Sequence, residues 1–374
     1  MEGEGGIMQY SREDACRAWL TYPCLSIEQL RLLMTTFGSA EGVYEHMSSS
    51  GQSEFQEMLT PQQYATLKKR ANQSAMHEML ITMKKHSMQI VYQEDATYPD
   101  QLLNISDPPV FLFWIGNLQA LTPRTVAMVG SRKASIAGLD AAHTIARDLS
   151  GQGVTVISGL AEGIDAAAHT GCLEGESPTV AITGCGLDVN YPASNEHLRK
   201  RILDQGGLLL SEYPPASPAL GWHFPVRNRI LSGLSRAVLM MECRIKSGSM
   251  STVQHALNQG REVFAWPGVA GTEWAEGAHQ LIREGARYFT SAQDVIEDLG
   301  WDQAPLLTRV EAAPMPPLSP EQKQLYQLLK RGDQSMDELA LASGLDAPVI
   351  AGAMTILQVY GLVKALPGKV YHAI

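Results

Sequence analysis

The chain predicts an α/β protein: a parallel sheet covered by helices on both faces, with small helices before it and a winged-helix tail after it. Three observations predict this. From Thr125 to about Leu299, short apolar runs alternate with helical stretches, the pattern of strands buried on both faces. Residues 10 to 90 carry apolar side chains at helical spacing. After Trp301 a stretch containing Pro305, Pro314, Pro316 and Pro317 reads as an extended linker to three capped helices and a hairpin.

Each element has its local reason. Leu30, Leu33, Met34 and Phe37 fall on one helical face that stops at Gly38; Ser26 stands where an N-cap belongs, and Thr60-Pro61 opens another helix. Six strands follow, at Val126-Val129, Val154-Ile157, Val180-Ile182, Leu208-Leu210, Ala237-Met241 and Val263-Ala265, with helices near 137–150, 163–174, 194–205, 226–234 and 249–259. In the tail, Ser319-Pro320 with Gln322 starts one helix and Ser335 with Glu338 forms a capping box for a second. Asp346 caps a third helix ending at Gly361, and Leu362-Ala365 pairs with Val370-His372 across Pro367-Gly368.

At 374 residues, 45% hydrophobic and 18% charged, the composition is that of a globular protein of two or three domains. No apolar run reaches membrane-spanning length, and Met1-Glu-Gly-Glu-Gly-Gly6 has neither the basic nor the apolar region of a secretory signal. Five cysteines (Cys16, Cys24, Cys172, Cys185, Cys243) make no CxxC and no metal-ligand spacing, so reduced thiols, no metal and a cytoplasmic setting are expected. The net charge of −10 argues against indiscriminate coating of nucleic acid. It allows a local basic groove, because fields decay over about 8 to 10 Å.

One such groove is written at Trp222 to Arg236, which holds Arg227, Arg229 and Arg236 and no acid, with Trp222 and Phe224 just upstream. Arginine forks bind phosphate oxygens and aromatic rings stack on bases. The bland reading is that Phe224 and Ile230 are core and the arginines pair with the acidic surplus. The strand ends carry further anion-binding features: Gly130-Ser131-Arg132, Ser158-Gly159-Leu160-Ala161-Glu162-Gly163, Thr183-Gly184-Cys185-Gly186, Lys246-Ser247-Gly248-Ser249 and Pro267-Gly268. Any one of these can be simple turn chemistry; several on one sheet edge point to one anion site. Neither GxGxxG nor a Walker A motif is present, so no nucleotide cofactor is expected. Asp165 and His169, four apart on a helix, could form an acid–base pair or be a dipole-favoured acid and a packed histidine. His223 can titrate or pack.

Taken in order, Val129-Gly-Ser-Arg132, Ser158-Gly-Leu-Ala161 with Gly163-Ile-Asp165, Leu210-Ser-Glu-Tyr-Pro214, Phe224-Pro-Val-Arg-Asn-Arg229, Lys246-Ser-Gly-Ser249 and Pro267-Gly268 resemble the DprA/Smf family of DNA-processing proteins. The resemblance covers roughly residues 95 to 298. It implies a SAM-like helical domain over 1–82, an extended Rossmann-like domain over 83–300, a linker over 301–317 and a winged helix over 318–374. It also implies single-stranded DNA binding without hydrolysis, loading of RecA recombinase in natural transformation, and a homodimer formed through the Rossmann-like domain. The family's phosphate pocket falls on Gly130, Ser131, Arg132, Ser158, Gly159, Arg227, Asn228, Arg229 and Lys246, with Ser247 and Gly248 beside it and Phe224 placed to stack on a base.

Three positions depart from the family's pattern: Glu162 for an arginine, Val253-Gln254 for Ala-Arg, and Glu276-Gly-Ala-His279 for Arg-Gly-x-Asn. The alternative is a nucleotide sensor or a phosphoribohydrolase-like enzyme on the same fold. Such enzymes carry Pro-Gly-Gly-x-Gly-Thr, where this chain has Lys246-Ser-Gly-Ser-Met-Ser-Thr252.

Overall fold

A computed structural model describes residues 11–23, 25–49, 52–302, 318–330, 332, 334–360, 362–366 and 370–373. The chain divides into two compact units, Met1–Leu299 and Gly300–Ile374.

The first unit begins with α1 (Arg12–Leu20), α2 (Ile27–Phe37), α3 (Ala40–Ser49), α4 (Pro61–Arg70) and α5 (Gln73–Lys85). Ser11, Ser26 and Thr60 each close a capping box, satisfying N–H groups that a helix start leaves free. Trp19, Leu33, Met47, Phe55, Leu67 and Met83 are fully buried, and their cluster runs on into Phe111 and Phe113 of the sheet. The helices α1 to α5 therefore share a core with the sheet edge.

The sheet has nine strands: β1 (Gln89–Tyr92), β2 (Phe111–Gly116), β3 (Thr125–Val129), β4 (Thr155–Ser158), β5 (Thr179–Ile182), β6 (Leu208–Ser211), β7 (Ala237–Met240), β8 (Glu262–Ala265) and β9 (Arg287–Tyr288). Their order is β1-β2-β6-β5-β4-β3-β7-β8-β9. The six expected strands pair in parallel, but β2 lies antiparallel on β6 and β1 antiparallel on β2. That two-strand extension was not read from the sequence. The helices are α6 (Asp100–Leu103), α7 (Ile136–Ser150), α8 (Ile164–Cys172), α9 (Glu196–Asp204), α10 (His223–Gly233), α11 (Met250–Asn258), α12 (Glu276–Arg283) and α13 (Ala292–Asp298). Separate apolar clusters form around Ile157, Val180, Leu210 and Ile230 and around Val129, Met240, Val253 and Leu281. Each such side chain contributes about 1.5 to 3 kcal/mol by leaving water. Chain order reverses between β3 and β7, and that switch point opens a crevice at the strands' carboxyl ends.

The second unit is a winged helix. It contains α14 (Pro320–Leu329), β10 (Gln334–Ser335), α15 (Met336–Ser343), α16 (Ala347–Val359), β11 (Val363–Leu366) and β12 (Val370–Ala373), with strand order β10-β12-β11. Leu325, Leu339, Ile350, Met354 and Leu357 form its core. Ser335 makes the expected capping box, and Ser319, expected to start a helix, closes another with Gln322; Asp346 stands at the N-cap of α16 without a side-chain capping bond. The linker prolines, Cys24 and the Pro367-Gly368 turn lie outside the described residues. Among the described residues no single helix is long and apolar enough to cross a membrane.

Candidate functional site

The β3–α7 turn forms one wall of the crevice. The Ser131 N–H donates to the Glu242 carbonyl at 2.7 Å, and the Ser131 carbonyl accepts from the Ile164 N–H at 3.2 Å. Glu242, just past β7, is buried, and its carboxylate accepts from the Ser135 N–H at 2.7 Å and the Ser135 hydroxyl at 2.6 Å. A buried carboxylate needs such donors. A Cβ at Gly138 would lie 2.4 Å from that carboxyl carbon, and one at Gly130 would lie 2.7 Å from Ile164. These glycines let the turn close. Glu242 was missed because a lone acid after an apolar strand carries no spacing signature; the Ser135 cap it supports was the only clue.

The floor comes from α8 and α10. Asp165 Oδ2 accepts from the Gly159 N–H at 3.1 Å and the Ala161 N–H at 3.3 Å. The buried Arg227 donates from Nη1 to the Gly159 carbonyl at 3.2 Å. Burial pushes the Asp165 carboxyl above its usual range against the pull of Arg227, and pulls Arg227 down to about 10, still cationic at neutral pH. A Cβ on Gly159 would sit 2.6 Å from both Asp165 Oδ2 and Arg227 Nη2, so only glycine admits the pair. Leu160 adopts φ 57, the left-handed region, and Asn195 holds that loop by donating to the Leu160 and Ala161 carbonyls at 2.9 and 3.1 Å.

Phe224 makes the exposed face. Its half-buried ring packs beside Tyr191 at 5.5 Å, with the Arg132 guanidinium 5.2 Å and that of Arg227 6.0 Å from its centroid. Gly184 admits the ring, since a Cβ there would come within 2.9 Å of it. Asn228 donates to the Ser251 hydroxyl at 2.8 Å, tying α10 to the Ser247-Gly248-Ser249 turn that enters α11. Together Gly130, Ser131, Arg132, Phe224, Arg227, Asn228, Ser247 and Gly248 line a cavity of about 460 Å³ to which α8, α10 and α11 present their N-terminal turns. Tyr191, Asp165 and Thr252 line it too and were not among the expected binding residues. Lys246 lies in an adjoining depression that shares Ser131, Arg132 and Ser247.

Three expected ligands lie elsewhere. Arg229 forks onto Glu212, donating from Nη1 at 2.8 Å and Nη2 at 2.6 Å, and its Nε donates to Asp107 Oδ2 at 3.0 Å. Burial lowers the Arg229 pKa, but Glu212 and Asp107 outweigh it and the net shift is upward. The cause is helical geometry: two residues apart on α10, Arg227 and Arg229 point about 160° from one another around the helix axis. Ser158 is fully buried and donates to the Met128 carbonyl at 2.6 Å, because β4 is covered on both faces. Gly159 is buried behind Arg227 and serves as spacing. Of the candidate acid–base pair, only Asp165 faces the cavity. His169 is fully buried, its Nδ1 lies 2.8 Å from the Thr179 hydroxyl, and burial drops its pKa to about 3. The Thr179 hydroxyl donates to the Val156 carbonyl, so Nδ1 is the protonated nitrogen. His223 is buried, stacks on Tyr213 at 3.8 Å and reaches the Gly184 carbonyl at 3.0 Å.

Comparison with known proteins converges on one family. Residues 89–300 match the family described as DNA recombination-mediator protein A, and residues 309–369 match the DprA winged helix domain. Protein Smf of Escherichia coli is 37% identical over 296 residues, 77% of this chain and 78% of that protein. DNA processing protein DprA of Streptococcus pneumoniae is 44% identical over 204 residues, 54% of this chain and 72% of that protein. The X-ray structure of DprA from Streptococcus pneumoniae superposes with a TM-score of 0.64 at 32% identity, covering 78% of this chain and 99% of that one. DNA processing protein A from Helicobacter pylori, described for its single-stranded DNA binding mode, superposes with a TM-score of 0.52 at 30% identity, covering 57% and 97%.

Proposed function

The chain belongs to the DprA/Smf family of DNA recombination mediators, and from that premise we propose that its switch-point cavity binds single-stranded DNA without sequence preference. The arrangement of Arg132, Phe224 and Arg227 carries this reading, since two cations flank one half-exposed ring. Phosphate oxygens take the guanidinium forks and a base takes the ring face. A base stacked on Phe224 has to leave a duplex first, which selects single strands. The ssDNA-binding relative from Helicobacter pylori supports the same assignment.

The protein acts by holding the strand, not by cutting it. Among the described residues, the carboxylate that lines the cavity is that of Asp165, which is engaged by two backbone amides and lies beside Arg227, while His169 is fully buried. Held in this way, neither Asp165 nor His169 is poised as a general base in the cavity. In this reading the protein protects incoming strands in the cytoplasm and, as a homodimer, hands them to RecA recombinase.

Anisotropy titration of oligo(dT) and of a blunt duplex at two salt concentrations tests the proposal. If about 3 to 4 phosphates are contacted, log affinity falls against log salt with a slope of roughly −2 to −3. Equal or tighter duplex binding overturns it.

A further inference from the structure

Beside the cavity that holds Phe224 lies a second depression, of about 350 Å³, sharing Ser131, Arg132 and Ser247 with the first. Lys133, Arg244, Lys246 and Trp274 complete its lining. With Arg132 this places four exposed cations on one small surface of a chain whose net charge is −10. Among the described residues the patch contains one ion pair, Arg244 with Glu273, and both of those side chains are half exposed. Like charges gathered this way repel one another, and a polyanion laid across them removes the repulsion.

Trp274 gives the depression its ring. The Arg244 guanidinium sits 4.5 Å from the Trp274 ring centroid, the same cation-on-aromatic pairing that Arg132 makes with Phe224. The segment carrying Trp274 is stitched to the exit of β7: the Cys243 N–H donates to the Trp274 carbonyl at 2.8 Å and the Gly277 N–H to the Cys243 carbonyl at 3.0 Å. Gly277 permits this approach, because a Cβ there would lie 2.5 Å from Cys243 Sγ. A backbone held in this way presents a half-buried indole with little ordering entropy left to lose on binding.

We propose that this depression is a second nucleotide subsite, and that Arg132 bridges one continuous strand between a base on Phe224 and a base on Trp274. The inference rests on the reading of the first cavity as a single-stranded DNA site and adds a direction to it: the strand leaves Phe224 across the β3–α7 turn toward α12. Arg244, Lys133 and Lys246 bind phosphates on the Trp274 side. An acidic protein segment would also answer to the four cations, but it would not extend a strand already seated on Arg132.

The test is a ladder of fluorescein-labelled oligo(dT) strands of increasing length, titrated by anisotropy against the full chain and its variants. For the wild type, affinity steps up by about tenfold once a strand is long enough to reach both rings. Trp274→Ala binds the shortest strands as the wild type does and loses that step. Arg244→Gln or Lys133→Gln lowers the salt slope by about 0.7 for the long strands alone. Both side chains are exposed, so these two decide the matter if Trp274→Ala proves unstable. Long-strand affinity and slope unchanged in all three variants overturn the second subsite. A wild type that binds no strand, or an Arg132→Ala variant that binds every length normally, would instead defeat the reading of the first cavity.

Discussion

Arg229 and Glu212 form a two-bond fork, with nitrogen–oxygen distances of 2.8 and 2.6 Å, in which the arginine side chain is almost completely buried. The fork joins α10 to the loop after β6, and Asp107 completes it. Removing one partner of a buried ion pair leaves the other charge without its counter-ion, at a cost of about 3 kcal/mol or more. Arg229→Ala is therefore expected to lower the urea midpoint markedly. The fraction that stays folded binds oligo(dT) as the wild type does. A binding loss without a stability loss would return Arg229 to the cavity.

Arg132→Ala gives the opposite pattern. The side chain is exposed and its guanidinium sits over the Phe224 ring, so folding loses little when it is removed. A charge-assisted contact to phosphate contributes about 1.5 to 3 kcal/mol, which puts the expected loss of strand affinity near tenfold or more. Anisotropy and thermal melting on the same preparation separate the two effects.

Gly159→Ala is expected to weaken strand binding although Gly159 is buried and does not line the cavity. The added methyl would press on Arg227 and Asp165, each 2.6 Å away, and push the guanidinium from beneath Phe224. The salt slope should fall with the affinity, since a phosphate partner has been displaced. Unchanged affinity and slope would show that Arg227 does not reach the strand.

How far the site could be read from the chain follows from these residues. Strands β3 to β8 were legible because apolar runs such as Val126–Val129 admit few alternatives once both faces are covered. Phe111–Gly116 carries an equally apolar run, yet nothing local says that it joins the sheet antiparallel beside β6. Within the site, Arg132 and Phe224 both line the cavity because each belongs to a loop or helix start at the switch point. Arg229 and Ser158 share the motifs of their cavity-lining neighbours but point elsewhere, toward Glu212 and the Met128 carbonyl. A helix covering both Arg227 and Arg229 cannot aim them at one cavity, and a serine inside a strand covered on both faces points into protein. Glu242 and Trp274 carry no spacing signature, since their contacts with Ser135 and Arg244 join residues distant in sequence.

His169 makes stability depend on pH in a direction that can be checked. Its folded pKa is about 3, below the ordinary 6.5, so the unfolded chain binds the proton more readily between those values. The contribution of His169 is complete above about pH 6.5 and drains away as pH falls toward 3, by up to about 1.4 kcal/mol per unit. His169→Asn keeps an amide donor for the Thr179 hydroxyl and removes the titration. Denaturant midpoints measured across this range should flatten in the variant; an identical acid limb would place the titrating group elsewhere.

The winged helix should contribute little to strand affinity. In a duplex-reading winged helix, the third helix needs phosphate-neutralising cations and base-edge donors. Here α16 has no lysine or arginine, and the Thr355 hydroxyl is engaged with the Ala351 carbonyl at 2.9 Å. The large apolar side chains exposed on α16 and just after it are Val349, Ile356 and Tyr360, each 41 to 48% accessible, while Ile350, Met354 and Leu357 fill the unit's own core. Such a surface suits a protein contact better than a phosphate backbone. Because residues 300–374 have a core of their own, deleting residues 305–374 leaves the sheet domain's clusters intact. The truncated protein is expected to bind oligo(dT) within tenfold of the full chain, a difference under about 1.4 kcal/mol. A larger loss, accompanied by a shallower salt slope, would show that this unit contacts the strand directly.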